Sequence, residues 1–118
     1  MNAIIQTGAR IAAWLLAGAI AVLSLVPPWW RPTTGAPQNF EHFAVFFATG
    51  LAFGVGYSRK SVWVSGSLVA YAGAIELAQI AAPGRHARLS DFVVDAAAAC
   101  VGAAMGAVVA ARTIAKSP

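Results

Sequence analysis

Three of this chain's four carboxylates, Glu76, Asp91 and Asp95, fall in or beside AYAGAIELAQIAAPGRHARLSDFVVDAAAA, a stretch from Ala70 to Ala99 dominated by Ala, Ile, Leu and Val. The same stretch carries Gln79, Arg85 and Arg88, while the fourth acid, Glu41, stands beside His42 at the head of another apolar run. An acid lowered into apolar surroundings must be protonated, paired with a cation or reached by water. At mid-membrane it costs roughly 2.5–3.5 kcal/mol, so an acid kept there is a candidate functional group. Glu76 and Asp95 are the strongest such candidates. Glu41 and Asp91 have a structural explanation, since each falls in the first turn of an expected helix, where the dipole favours a carboxylate by about 0.3–1 kcal/mol.

Two chemistries fit these residue types. Arg85 and Arg88 can hold an anionic phosphate, buttressed by Glu76, Gln79 and Asp95 through charge-assisted hydrogen bonds. Alternatively His42, Glu76, Asp91 or Asp95 acts as acid or base on a bound substrate, with the arginines neutralising phosphate charge. Arg88 is expected to fold back onto Asp91 or Glu76, and Arg85 to reach headgroups from the crown of the Pro83–Gly84 loop. No zinc spacing, phosphate loop or nucleophilic serine motif is present, so no metal and no cofactor is expected. His86 lies between basic neighbours and adds little. Cys100, the sole cysteine, reads as a small packing residue in an alanine-rich run.

These groups need elements to position them, and the composition says where those elements live. Of 118 residues 59% are hydrophobic and 10% charged, against about 45–50% and about 25% in a typical soluble domain. A membrane is the expected environment and the lipid bilayer the expected partner. The formal net charge of +4 is scattered among apolar runs, which fits loop charge that orients helices and not a nucleic-acid surface. The length and the lack of internal repeats predict one domain over residues 1–118.

Four stretches approach the length a span requires, so the expected fold is all-α, a four-transmembrane-helix bundle. The first runs from about Ile11 to Val26 and stops at PPWWRP, where Trp29 and Trp30 suit the membrane interface. Its position within the apolar run makes AIA a poor cleavage signal, so the helix is expected to be retained. The second follows a cap at Asn39 and continues to Ser58. The third occupies SVWVSGSLVAYAGAIELAQIAA, and the fourth runs from a cap at Ser90 to about Ala111. Four spans place both termini with the SRKS turn, gathering Arg10, Arg59, Lys60, Arg112 and Lys116 on one side. Arg31, Arg85 and Arg88 fall on the other. The balance predicts cytoplasmic termini and puts all four acids toward the outer leaflet.

Helical spacing groups Gly66, Val69, Gly73, Glu76 and Ile80 on one stripe. It groups Asp91, Asp95, Ala99, Gly102 and Gly106 on a second, and His42, Phe46, Thr49 and Gly50 on a third. Small residues mark close helix contacts in lipid, and GLAFG and GAAMG both carry the pattern. The three stripes are therefore expected to meet, with His42, Glu76 and Asp95 in one pocket.

At Glu41-His42, Glu76 and Gln79, Pro83-Gly84-Arg85, Asp91 and Asp95, and Gly102, the chain resembles the VanZ-like family of small bacterial integral membrane proteins. That family shows a charged residue before a His, a Glu followed three residues later by Gln, a Pro-Gly-Arg loop, and an Asp. A polar residue follows four positions after that Asp, ahead of a glycine-rich helix. The resemblance is strongest over residues 39–111, and departs where the family commonly has Asn and this chain has Asp95. It implies a protein of the bacterial cell envelope, in the inner membrane, related to a founding member associated with resistance to the glycopeptide teicoplanin. The binding residues so implied are Glu41, His42, Glu76, Gln79, Arg85, Arg88, Asp91 and Asp95.

Two functional classes follow. One is a membrane protein whose outer-leaflet pocket binds a lipid, a lipid-linked anionic headgroup or a membrane protein partner. The other is a small membrane enzyme acting on a polyprenyl- or lipid-linked envelope precursor by acid/base chemistry. A transporter is disfavoured, because four short helices enclose little volume unless the chain forms a homo-oligomer.

Overall fold

The computed structural model describes residues 2–25, 38–81 and 89–115, and the elements among them are all helical. Arg31, Arg85, His86, Arg88, Lys116, the PPWWRP segment and the Pro83–Gly84 loop lie outside the described residues. Helix α1 (Ala3–Leu25) begins at Asn2, whose side-chain oxygen accepts the Ile4 N–H at 2.6 Å and satisfies one of the donors left at a helix head. The expected start near Ile11 is corrected by about two turns, and Arg10 lies within the helix instead of ahead of it. Its guanidinium stays at the end of the molecule all the same, where Nε donates to the Gly56 carbonyl at 2.7 Å.

Helix α2 (Gln38–Gly56) contains Asn39, which was expected to cap it. It ends at Gly56, before the expected Ser58, and Arg10 packs against that end: a Cβ on Gly56 would fall 2.8 Å from the Arg10 side chain. A 3₁₀ turn, Ser58–Lys60, then reverses the chain into α3 (Ser61–Ala81). Helix α4 (Leu89–Ala115) is rich in alanine, the strongest helix former. Ser90 falls in its first turn, and the helix continues past the expected end at Ala111.

Three segments, Ala3–Leu25, Ser58–Ala81 and Leu89–Thr113, are long and apolar enough to cross a membrane. The apolar helix Phe40–Gly56 is shorter. At about 1.5 Å per residue it reaches about 25 Å, against a hydrocarbon core of about 30 Å. The all-α expectation is met with four helices, and by length and composition three of them are candidate membrane spans, which makes this a multi-pass arrangement in a lipid bilayer. Large apolar side chains face outward throughout, with Val62 85%, Trp63 77%, Leu77 70% and Leu89 78% exposed. So much outward apolar surface suits lipid and not water.

Helix α2 packs most extensively on α4, α1 lies beside α2, and α3 lies beside α4, whereas α1 and α3 meet sparsely. The α2–α4 seam is built from glycines. A Cβ on Gly50 or Gly54 would overlap the carbonyl of Ala99 or Ala103, and one on Gly102 or Gly106 would overlap that of Phe47 or Leu51. Contacts advance together along both chains, Phe47 with Gly102 and Leu51 with Gly106, so the two helices run parallel. Phe46, Leu68, Ala72, Ile75, Ala99 and Ala103 fill the core around this seam.

Candidate functional site

The glycine register sets the level of the polar groups. Gly50 meets Ala99 and Phe47 meets Gly102, so moving about two turns toward the heads of α2 and α4 brings His42 level with the segment between Asp91 and Asp95. There His42 Nδ1 lies 3.3 Å from Asp95 Oδ1. Asp95 is 1% exposed and the His42 side chain 14%, so this is a buried pair joining two helices. The two atoms lie within ion-pair reach without the geometry of a hydrogen bond, so their attraction depends on the imidazole being protonated. Thr49, wholly buried two turns further along, returns its hydroxyl to the Val45 carbonyl at 2.7 Å and so needs no outside partner.

The other acids gather at the same end. Asp91 is 9% exposed in the first turn of α4, one turn from Asp95. Glu41 lies half-buried in the first turn of α2. Glu76 is 7% exposed near the end of α3, and one turn earlier Gly73 receives the Phe92 ring, where a Cβ would lie 3.4 Å from it. Gln79 is buried too, and its amide donates to the Ser24 carbonyl of α1 at 3.2 Å. Of the expected set, His42 and Asp95 are in direct contact, while Gln79 is turned to the first helix. Glu41, Glu76 and Asp91 lie toward that same end on their helices, and Arg85 and Arg88 lie outside the described residues.

The α2 and α4 stripes face inward: Phe46, Thr49, Gly50, Asp91, Asp95, Ala99, Gly102 and Gly106 are all buried. The α3 stripe is corrected. Gly66 and Ile80 are exposed, with nothing within 4 Å of a Cβ on Gly66. The buried face is instead Val64, Leu68, Ala72, Ile75, Glu76 and Gln79. Glu76 belongs to both stripes, so it points inward on either reading, but its neighbours on the buried face are Ala72, Ile75 and Gln79 and not glycine.

Among the described residues no three His, Cys, Asp or Glu side chains are grouped to hold a metal ion. The opposite end holds a cluster that residue-by-residue reading passed over. Arg10 lies over the Tyr57 ring at 4.5 Å, and the Trp14 indole N–H donates to the Tyr57 hydroxyl at 3.1 Å. Its signal in the sequence was aromatic residues next to the basic SRKS turn, the composition of a membrane interface. Comparison of the chain with protein-family models, curated proteins and solved structures gives no match.

Proposed function

We propose that this chain is a VanZ-like protein of the bacterial cytoplasmic membrane that crosses four times with both termini cytoplasmic. Its pocket opens to the outer leaflet and binds a lipid or lipid-linked anionic headgroup. The observation that carries this reading is the buried His42–Asp95 pair, with Glu76 and Asp91 buried at the same end. Helices α2, α3 and α4 place ionisable groups where lipid alone would penalise them, and such groups mark binding or reaction sites. A headgroup phosphate would engage Arg85 and Arg88 from the adjoining loop, with the carboxylates holding the guanidinium groups in place.

Support for a fourth crossing comes from packing. Helix α2 runs alongside α4 from His42, at Asp95, to Val55, at Gly106, so it lies at the depth of a helix that is itself a candidate span. A shortfall of about 5 Å against the bilayer is of a size that local thinning accommodates.

The enzyme reading draws on one specific feature, an imidazole and a carboxylate side by side in enclosed surroundings, His42 and Asp95, residue types able to act as acid and base on an envelope precursor. The two readings separate on one experiment. The full chain is purified, its co-purifying lipids are identified, and the same lipids are followed during incubation with wild type and Glu76→Gln. Retention without chemical change, weakened about 10- to 100-fold by Glu76→Gln through loss of a charged hydrogen bond, supports the binding site. Turnover abolished by Glu76→Gln supports the enzyme. Absence of any anionic-headgroup lipid, with no change in Glu76→Gln, would remove both.

A further inference from the structure

At the end of the molecule opposite the acids, the sparse meeting of α1 and α3 leaves a groove of about 340 Å³. Trp14 comes from α1, Phe53 and Tyr57 from α2, and Trp63 and Tyr71 from α3; Lys60 stands at the mouth. We propose that this groove holds one acyl chain of an anionic phospholipid, with the headgroup phosphate at Lys60 and its basic neighbours. The site is distinct from the acidic end and belongs to the other leaflet.

Three observations select this occupant. The first is depth. Eleven residues separate Lys60 from Tyr71, which at about 1.5 Å each is about 16 Å, and half of a hydrocarbon core of about 30 Å is about 15 Å. The groove therefore runs from the interface to about mid-membrane, the course of one leaflet's chains. The second is its closure. The Tyr71 hydroxyl donates to the Ala17 carbonyl at the deep end, and Trp14 is tied to Tyr57 nearer the mouth. These two ties hold α1 to α3 and to α2, so a helix about 10 Å wide could enter only by breaking them. A single flexible chain needs no such opening.

The third observation is charge. Lys60 and Arg59 are exposed on the 3₁₀ turn, and Arg10 is fixed beside them over Tyr57. All four carboxylates, Glu41, Glu76, Asp91 and Asp95, lie on the far halves of their helices, so nothing acidic offsets these cations. Juxtamembrane cations select anionic lipid, each contributing about a fivefold preference. Trp14 and Trp63 are 63% and 77% exposed on the groove walls, and a seated chain covers both.

The test is native mass spectrometry of the delipidated full chain in detergent. It is titrated with phosphatidylglycerol or phosphatidylcholine of identical acyl chains. In Glu76→Gln, which weakens binding at the acidic end, the expected result is one saturable phosphatidylglycerol per chain, bound at least tenfold more tightly than phosphatidylcholine. Lys60→Gln, on an exposed turn, should cut that preference about fivefold. Ser67→Trp, which fills the groove from an exposed position, should abolish the saturable binding of both lipids while the helical circular dichroism is retained. Equal affinity for the two lipids in Glu76→Gln would overturn the proposal, as would an unchanged preference in Lys60→Gln. A dimer that excludes lipid from the groove would overturn it too.

Discussion

His42 and Asp95 have more at stake in each other than any other pair described in the molecule. Asp95 is almost wholly enclosed and His42 Nδ1 is 3.3 Å away without a hydrogen bond between them, so removing either forfeits a charge attraction in enclosed surroundings, at a cost of about 0.5–3 kcal/mol. Asp95→Ala should destabilise the chain by that amount in detergent unfolding. Combining it with His42→Phe should cost less than the sum of the two single changes, by about 0.5–3 kcal/mol, because the attraction between the two side chains can be lost only once. Strict additivity would mean that the two side chains do not act as a pair. Asp95→Asn should be milder than Asp95→Ala, since an amide oxygen can still face the imidazole.

At the scale of elements, the α2–α4 seam is the contact least tolerant of change. Gly50→Ala or Gly102→Ala drives a methyl into a backbone carbonyl of the facing helix, and backbone, unlike a side chain, cannot swing aside. Each change should cost about 1–3 kcal/mol or more. Gly18→Ala and Gly66→Ala meet nothing within 4 Å and should be neutral or stabilising, by up to about 1 kcal/mol of helix propensity. Equal effects at all four positions in detergent unfolding would contradict the seam. The same comparison shows what was readable in the sequence. Spacing identified Gly50, Gly54, Gly102 and Gly106 because both pairs repeat every four residues beside polar groups. It misassigned Gly66, because glycine is frequent in membrane helices generally and is not confined to their contacts. Spacing says which residues share a face, and only packing says which face is turned inward. That α2 and α4 run parallel follows from the alternation of the expected spans, and their small-residue stripes were expected to bring His42 to Asp95, as they do. The two-turn extension of α1 was legible in principle, since Asn2 is a good capping residue, but the polar Arg10 drew the boundary too late.

For the whole molecule the governing feature is the partition of charge. Arg10, Arg59 and Lys60 gather at the α2–α3 turn, and Arg112 falls in the last turn of α4, while the acids occupy the other end. The number of crossings decides what this partition means. If α2 crosses, the turn at Arg59 and Lys60 and both termini share one side, and the positive-inside tendency makes that side cytoplasmic. If α2 does not cross, the three remaining spans put the termini on opposite sides, and the charges of Arg59 and Lys60 fall opposite those of Arg10. The packing argues for the first arrangement: Arg10 of α1 donates to Gly56 at the end of α2, so the cations at the two helix ends are neighbours in space. Reporter fusions placed before Ala3, after Arg59 and after Ala115 should therefore all report cytoplasm, and one within residues 82–88 should report the opposite face. Replacing Arg59 and Lys60 together by Glu should erode this orientation and give mixed reporters, since a minimal turn carries those two charges nearest the membrane. Termini reporting on opposite sides would leave three crossings, and would put the Lys60 groove and the His42–Asp95 pair in relations to the two leaflets different from those proposed above.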